Sequence, residues 1–445
     1  MKKMCTRGRR AHAWNRHALV LALLSLAAGA RAEPATQLAA ETPSRAVTLG
    51  ELLVYAERQG PGARLARARK SYGQARVSAA STPFKENPKL SFGLGPRFED
   101  GERTGVDLEG SLEQPLEIAG QQALRGKVAR RAQALGAAEV ASSALELRRA
   151  IVFAYSDAAL ARAQLELSGE ALELTRVTFE ATRRRFSAGE VGIVDVRLAE
   201  AEFALAREDQ LLSARELSDT RWQLCELSGW PADRPPMPLW TVPDARTLPA
   251  FESLARRMQA SHPELAARRA AIAEASARRE LAVREGWPSP ALGVSVTREG
   301  SRDGENVIVL GTLELPLPLW QRNEEQRAQA EHDRSRAEIE RGGSLRGLDL
   351  RLRRAYAAAE SARQRVELYR GSVLPSVGDS LGLLGRAFAA GEISLSMLTT
   401  ARERLLDSRQ RALRAGSDYY RALAELEALS GMPLLTATSG TEKRP

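Results

Sequence analysis

Cysteine is nearly absent from this chain: Cys5 and Cys225 are the two in 445 residues. Cys5 lies in a basic and apolar N-terminal segment, which leaves one thiol for the remainder, and one thiol closes no intramolecular disulfide. The chain is not a disulfide scaffold. Cys5 also precedes the apolar run of that segment, where a lipidated cysteine would follow it, so no lipid anchor is expected. Histidine is as scarce, with only His262 and His332 beyond the segment. Even with the scattered methionines added, no cluster has metal-ligand spacing. No nucleophile is paired with a base and no loop is built for phosphate, so the chain does not read as an enzyme and no cofactor is expected. After the N-terminal segment no apolar run approaches 18 residues, which argues against a transmembrane helix. Proline is missing altogether between Pro115 and Pro231. That gap leaves room for very long helices, because proline is the residue a helix interior tolerates least.

The N-terminal segment itself carries Lys2, Lys3, Arg7, Arg9, Arg10, Arg16 and Arg31 around an apolar run from Ala18 to Ala28 and ends in Ala30-Arg31-Ala32. Residues 1–32 read as a cleaved secretory signal peptide. Removing its seven basic residues takes the formal net charge from +9 to +2. A nucleic-acid partner, which needs a basic stripe on the mature chain, loses its support. An exported chain without an apolar helix is periplasmic, secreted or part of an outer-membrane β-barrel.

What the chain has is repetition. Leu112-Glu113-Gln114-Pro115-Leu116 recurs as Leu313-Glu314-Leu315-Pro316-Leu317, Ala154-Tyr155 as Ala355-Tyr356, Phe186-Ser187-Ala188-Gly189-Glu190 as Phe388-Ala389-Ala390-Gly391-Glu392, and Leu227-Ser228-Gly229 as Leu429-Ser430-Gly431. The offset stays at 201 or 202 throughout. A period this long is a duplicated unit and not a short solenoid repeat. The organisation follows: a polar leader over 33–46, a first repeat over 47–229, a proline-rich linker over 230–246, a second repeat over 247–432 and a tail over 433–445.

Within each repeat the helices are read first. Thr48 and Glu51 have the spacing of a capping box that opens a helical region to about Ala80, broken near Gly60-Pro61-Gly62. Ser261-His262-Pro263-Glu264 gives the matching start in the second repeat. From about Ala119 to Ser187 the sequence is rich in strong helix formers, and a helix of roughly 70 residues there would be on the order of 100 Å long. Gly189 interrupts it, and a second helix runs to Leu227. Leu198, Leu205 and Leu212 are spaced by seven, as are Leu217 and Leu224, which is compatible with coiled-coil packing. The second repeat follows the same plan from Asn323 to Leu429, with Pro375 kinking or dividing its long helix.

Two alternating pairs of segments remain, at about 89–97 and 105–114 and at about 291–298 and 306–315. Each is close to the 9–11 residues with which a tilted strand crosses a bilayer. Trp287 and Trp320 flank the second pair on one side, as aromatics at a membrane interface would. Four strands close no barrel, and open edges are not tolerated in lipid. Two chains would supply 8 strands, three 12 and four 16, and the residues do not choose among them.

In this order of elements, in Gln114-Pro115-Leu116 and Leu315-Pro316-Leu317-Pro318-Leu319 after the strand pairs, and in the two aromatic-x-Ala-Gly-Glu breaks, the chain resembles the TolC-type outer-membrane efflux protein family over its mature length. The run 316–323 and Gly391-Glu392-Ile393-Ser394 look most like its CzcC and CusC group, which serves heavy-metal efflux. The resemblance implies a mainly α fold with a transmembrane β-barrel contribution: a homotrimer with a 12-stranded barrel in outer-membrane lipid, continued by a long α-helical tunnel into the periplasm of a Gram-negative cell. It implies a passive exit duct for small solutes, heavy-metal cations among them, served by a periplasmic adaptor protein and an inner-membrane pump of RND type. It also implies that Phe186, Gly189, Glu190 and Asp195, with Phe388, Gly391, Glu392 and Met397, lie at the periplasmic tip, where gating and adaptor docking occur. Beside each stands a plainer reading: helix caps for the glycines, charges matched to helix dipoles for the glutamates, and an exposed helix-start carboxylate for Asp195. The other functions open to the sequence are a soluble periplasmic coiled-coil scaffold or adaptor, and a type I secretion exit duct.

Overall fold

The computed structural model describes residues 46–99, 102–239, 244–301, 304–377 and 380–435. The signal segment and nearly all of the polar leader fall outside the described residues. Strand β1 (Ala46–Val47) leads into helices α1 (Leu49–Gln59) and α2 (Pro61–Ala80), strands β2 (Lys89–Glu99) and β3 (Glu102–Pro115), and helices α3 (Gln121–Ser187) and α4 (Ile193–Ser228). Strand β4 (Met237–Pro238) lies in the linker. The second half supplies α5 (Phe251–Ser261), α6 (Pro263–Arg284), β5 (Ala291–Ser301), β6 (Gly304–Glu314), α7 (Glu324–Leu368), α8 (Leu374–Val377), α9 (Ser380–Ala389) and α10 (Leu395–Ser430).

The helix starts follow local chemistry. Thr48 accepts from the Glu51 amide at 3.3 Å while the Glu51 carboxylate takes the Thr48 amide at 3.0 Å, a closed capping box. Pro61 and Pro263 open α2 and α6, where the missing N–H costs nothing. The buried His262 caps α6, its Nδ1 accepting from the Glu264 amide at 3.2 Å. Gly120 and Asn323 precede the long helices α3 and α7 in the left-handed conformation, with φ of 76° and 64°. Asn323 tolerates it, being one of the few residue types that do, and its Nδ2 donates to the Ala282 carbonyl at 2.9 Å.

Helix α3 runs unbroken for 67 residues. Its counterpart in the second repeat does not: after α7 comes a π-helical turn, Tyr369–Val373, and then the short α8 that holds Pro375. A proline removes one N–H and crowds the carbonyl four residues back, and the wider turn relieves that crowding.

The core is a belt around the middle of α3. Ile151, Val152, Ala154, Tyr155 and Ala158 are buried there against α1, Leu224 of α4, and Tyr419, Leu423 and Ala424 of α10. Alanine at so many of these places lets helix axes approach closely. The linker is strapped onto this belt. Its prolines offer carbonyls and no amides, so side chains supply the donors: Arg221 to Pro235 and Pro236 at 2.7 and 3.2 Å, and Arg162 to Pro238 at 3.1 Å. The Tyr155 hydroxyl donates to the Val47 carbonyl at 3.1 Å and accepts from the Leu239 amide at 3.0 Å, fixing β1 and β4, which pair in parallel. Asp157, beside Arg421 at 2.8 Å, is held above the usual carboxylate range because its burial outweighs the guanidinium.

The four longer strands form one antiparallel sheet in the order β2-β3-β5-β6. The two hairpins are joined through the β3–β5 pairing, in which Leu112 meets Val294, and beyond it the Leu116 amide donates to the Pro290 carbonyl at 2.7 Å.

Candidate functional site

The sheet has two unlike faces. Leu90 pairs with Leu112, Leu112 with Val294 and Val296 with Val309, so these residues share one face with Phe92, Leu94 and Leu313. All are exposed, Phe92 to 80%. A soluble protein rarely leaves so large a continuous apolar surface to water. The opposite face carries Ser91, Asp107, Glu109, Ser111, Glu113, Ser295, Thr297 and Thr312 by the same registers, with Ile308 and Leu310 of the edge strand β6 its apolar exceptions. There Arg97 reaches Asp107 at 3.1 Å and Glu299 at 2.8 Å, so one cation lies between carboxylates of two neighbouring strands that would otherwise repel. Strands of 11 residues at about 3.3 Å each, tilted as barrel strands are, cover roughly the depth of a bilayer core. An apolar face, a polar face and this length are the pattern of a membrane barrel wall.

Trp287 lies between α6 and β5, and Trp320 between β6 and α7. The pairing of Ala291 with Glu314 brings both connections to the same end of the sheet, where the helices join it. Their side chains are 55% and 88% exposed. That is where interfacial aromatics would sit.

At the far end of the helices the two glycine breaks lie side by side. Gly189 and Gly391 both have φ of 78°. The Glu190 amide donates to the Arg185 carbonyl at 2.9 Å and the Glu392 amide to the Ala387 carbonyl at 2.9 Å, so the long α3 and the short α9 end in the same left-handed cap. The turns are joined by Arg185, whose guanidinium lies 5.6 Å from the Phe388 ring and whose Nε donates to Glu190 at 3.1 Å. Beneath them Phe388, Leu395 and Leu398 are buried with Ala181 and Ala199 in one small cluster. Phe388 is thus core, whereas Phe186 is 43% exposed.

The acidic residues take places that differ from the dipole reading. Neither Glu190 nor Glu392 reaches a first helical turn, because α4 and α10 begin three residues later, and Glu190 is held by Arg185. The first-turn carboxylate of α4 is Asp195, which accepts from the Gly192 amide at 3.2 Å. In the second repeat Ser394 caps α10 and accepts from the Met397 amide at 3.3 Å, which leaves the Met397 side chain 59% exposed. The two repeats therefore exchange the capping duty between the first and fourth positions, Gly192 and Asp195 against Ser394 and Met397. Arg185, the link between the turns, carries no sequence signal, because its partner is 203 residues away. The spacing from Ser394 to Met397 does carry one, being that of a helix N-cap.

Among the described residues no group of three or more His, Cys, Asp and Glu is arranged to hold a metal ion, and no helix is long and apolar enough to cross a membrane. The model of one family, described as Outer membrane efflux protein, matches residues 62–229 and again 254–432. The chain belongs to the outer membrane efflux protein family. The double match falls on both repeats, each with its strand pair and glycine break. A search among curated proteins finds no match. Solved structures of the same fold include the CusC channel, at 17% identity over 86% of this chain and 92% of that one with a TM-score of 0.68. The VceC outer-membrane protein of Vibrio cholerae matches at 18% identity over 86% and 96%, with a TM-score of 0.67. The CmeC outer-membrane channel of Campylobacter jejuni matches at 15% identity over 86% and 85%, with a TM-score of 0.71. Identities this low speak for the fold, and the fold is that of a TolC-type channel: a helical tunnel wall joined to a piece of barrel.

Proposed function

We propose that three copies of this chain form an exit duct in the outer membrane of a Gram-negative cell, with a 12-stranded barrel and a helical tunnel reaching into the periplasm. The observation that carries the reading is that the chain's sheet is open, with β2 of the first repeat at one edge and β6 of the second at the other. Each edge leaves backbone donors and acceptors unpaired, which lipid does not permit. Unlike edges join head to tail, and such a contact closes into a ring. In the ring the apolar face of the sheet meets lipid, Trp287 and Trp320 sit at the interface, and the glycine turns form the periplasmic tip.

The duct works passively, with an adaptor protein docked at the tip and an inner-membrane pump of RND type behind it. Small solutes leave through the water-filled bore when the helix pairs at the tip part. Heavy-metal cations belong among these solutes, a proposal supported by the likeness of 316–323 to the CusC group and the shared fold. An exit duct binds its cargo weakly in any case, since tight binding impedes release. Residues 1–32 direct export and are removed, and 47–229 and 247–432, joined by the linker 230–246, are the two repeats of the wall.

Expressing the full chain and extracting it from membranes with detergent tests this. The expected result is an outer-membrane protein that sizes as three chains and conducts ions in a planar lipid bilayer. Recovery of the mature chain in the soluble fraction without detergent would falsify the duct and favour a scaffold.

A further inference from the structure

The helical wall has a covered side and a bare side. The linker and β1 lie against one side, where the Tyr155 hydroxyl of α3 meets Val47 and Leu239 and the Tyr419 hydroxyl of α10 accepts from the Arg246 amide at 3.3 Å. Phe153 and Arg421 each stand two residues from those tyrosines, about 160° round their helices, and so face away from the linker.

On the bare side α3, α7 and α10 flank an open groove of about 590 Å³. Arg149, Arg351, Arg354, Arg365 and Arg421 line it against two carboxylates, Asp418 and Glu425. Both carboxylates are taken, Asp418 by Arg365 at 2.8 Å and Glu425 by Arg149 at 3.0 Å. The guanidiniums keep donors to spare. Each has five N–H groups, yet Arg351, Arg365 and Arg421 each give one hydrogen bond and Arg149 gives two. Arg354, exposed on α7, has no hydrogen-bond or ion-pair partner among the described residues. Arg149 and Arg421 also lie 5.1 and 4.8 Å from the Phe153 ring, which holds them beside the groove. The first repeat has no such cluster: the counterparts of Arg351, Arg354, Arg365 and Arg421 there are Ala150, Phe153, Gln164 and Asp219. Wall packing common to both repeats therefore does not call for these arginines.

We propose that the groove is a transient station for oxyanionic solutes, carboxylate- or phosphate-bearing, in the bore of the duct, where guanidinium forks take the oxygens in pairs. The assignment rests on the duct reading, since a bore stays open only if the linker layer lies outside the ring, and that turns the groove inward. Three copies bring three grooves to one level. The station gives the small solutes of the duct a class, and a free metal cation is not held there.

The test is block of the open channel in a planar lipid bilayer by tripolyphosphate or citrate added on the barrel side. Both anions are expected to lower the current of the native protein, and Arg354→Gln to raise the half-blocking concentration about tenfold, as loss of a charged hydrogen bond would. Arg354→Lys keeps the charge without the fork and should fall in between. The control is Arg353→Gln, which should be blocked as the native protein is, because that guanidinium lies on another face of α7, 4.9 Å from the Phe251 ring of α5. Arg353 and Arg354 are both exposed, so three-chain assembly should persist in all three variants. Block by one anion alone, weakened in Arg354→Gln, supports the station and names its group as phosphate or carboxylate. A channel that conducts but is blocked equally in the native protein and Arg354→Gln overturns the station and leaves the duct standing. Equal block in the native protein and Arg354→Lys reveals a general positive field and overturns the forked site. A soluble chain without conductance overturns both readings.

Discussion

Substituting the glycine at the tip separates the cost of a backbone conformation from the cost of a clash. At Gly189 an added Cβ meets nothing within 4 Å, and φ is 78°. The penalty for alanine is therefore conformational alone, about 1–2 kcal/mol for a residue with a Cβ in the left-handed region, or a factor of roughly 5–30 in the local equilibrium. Asparagine visits that region more readily and should cost less. Proline fixes φ near −65° and removes the amide that donates to Phe186 at 2.9 Å, so the turn must be rebuilt. The expected order of damage is Asn, then Ala, then Pro. Gly120, with φ of 76° and nothing within 4 Å of a Cβ, is the control at the other end of α3. Gly120→Ala should lower stability to denaturant as much as Gly189→Ala does, while only Gly189→Ala and Gly189→Pro change the basal conductance or the crosslinking of an adaptor. Equal conductance effects at both glycines would refute the assignment of Gly189 to the gate. Equal tolerance of alanine, asparagine and proline at Gly189 would refute the left-handed cap itself.

Other expectations follow from single contacts. Val294→Lys puts a charge on the apolar face of the sheet and should sharply reduce the folded outer-membrane fraction, at a cost of about 2–4 kcal/mol near mid-bilayer; Ser295→Lys, on the other face, should not, and equal yields of the two would overturn the assignment of the apolar face to lipid. His262 is neutral when folded, since burial pulls its pKa below the ordinary 6.5 and protonation would remove the acceptor at Nδ1. Its contribution is complete above pH 6.5 and is lost as pH falls below that toward the folded value. The urea midpoint should therefore drop between pH 7.5 and 5.5 by less in His262→Asn than in the native protein. Tyr155→Phe strands the Val47 carbonyl in the buried belt and removes the partner of the part-buried Leu239 amide, and should cost about 1–3 kcal/mol in thermal or denaturant unfolding, with conductance unchanged.

Much of this architecture is legible in the sequence because its signals are local. The proline gap becomes one helix of 67 residues, and the alternating segments become strands with the expected faces. Thr48 and Glu51 close the capping box that their spacing announces. What stays hidden depends on neighbours. Two heptad runs on α4 look alike, yet Leu217 and Leu224 are buried while Leu198, Leu205 and Leu212 face outward. Spacing fixes which side chains share a stripe and says nothing of what covers it. Pro375 announces a break without saying whether the chain kinks, stops or widens into a π-turn. At the tip, the sequence leaves Asp195 open between a gate residue and a helix-start carboxylate, and its contact within the chain is with its own helix start. A glycine at position 192 has no side chain to cap with, and the carboxylate three residues later does it.

The departures between repeats also limit what a ring of such chains is able to do. Two identical repeats would give every neighbouring pair of helices the same contact, within a chain and between chains alike, and any force that parted one would part all. Here the contacts within the chain at the tip include the Arg185 bridge and the buried Phe388 cluster, while Leu198, Leu205 and Leu212 of α4 stay exposed. The π-turn at Tyr369–Val373 interrupts only the second-repeat helix, so bending there shifts α9 and α10 without requiring α3 to bend. In the proposed ring, an opening that keeps each chain's own cluster leaves the Arg185 bridge and the Phe388 contacts intact.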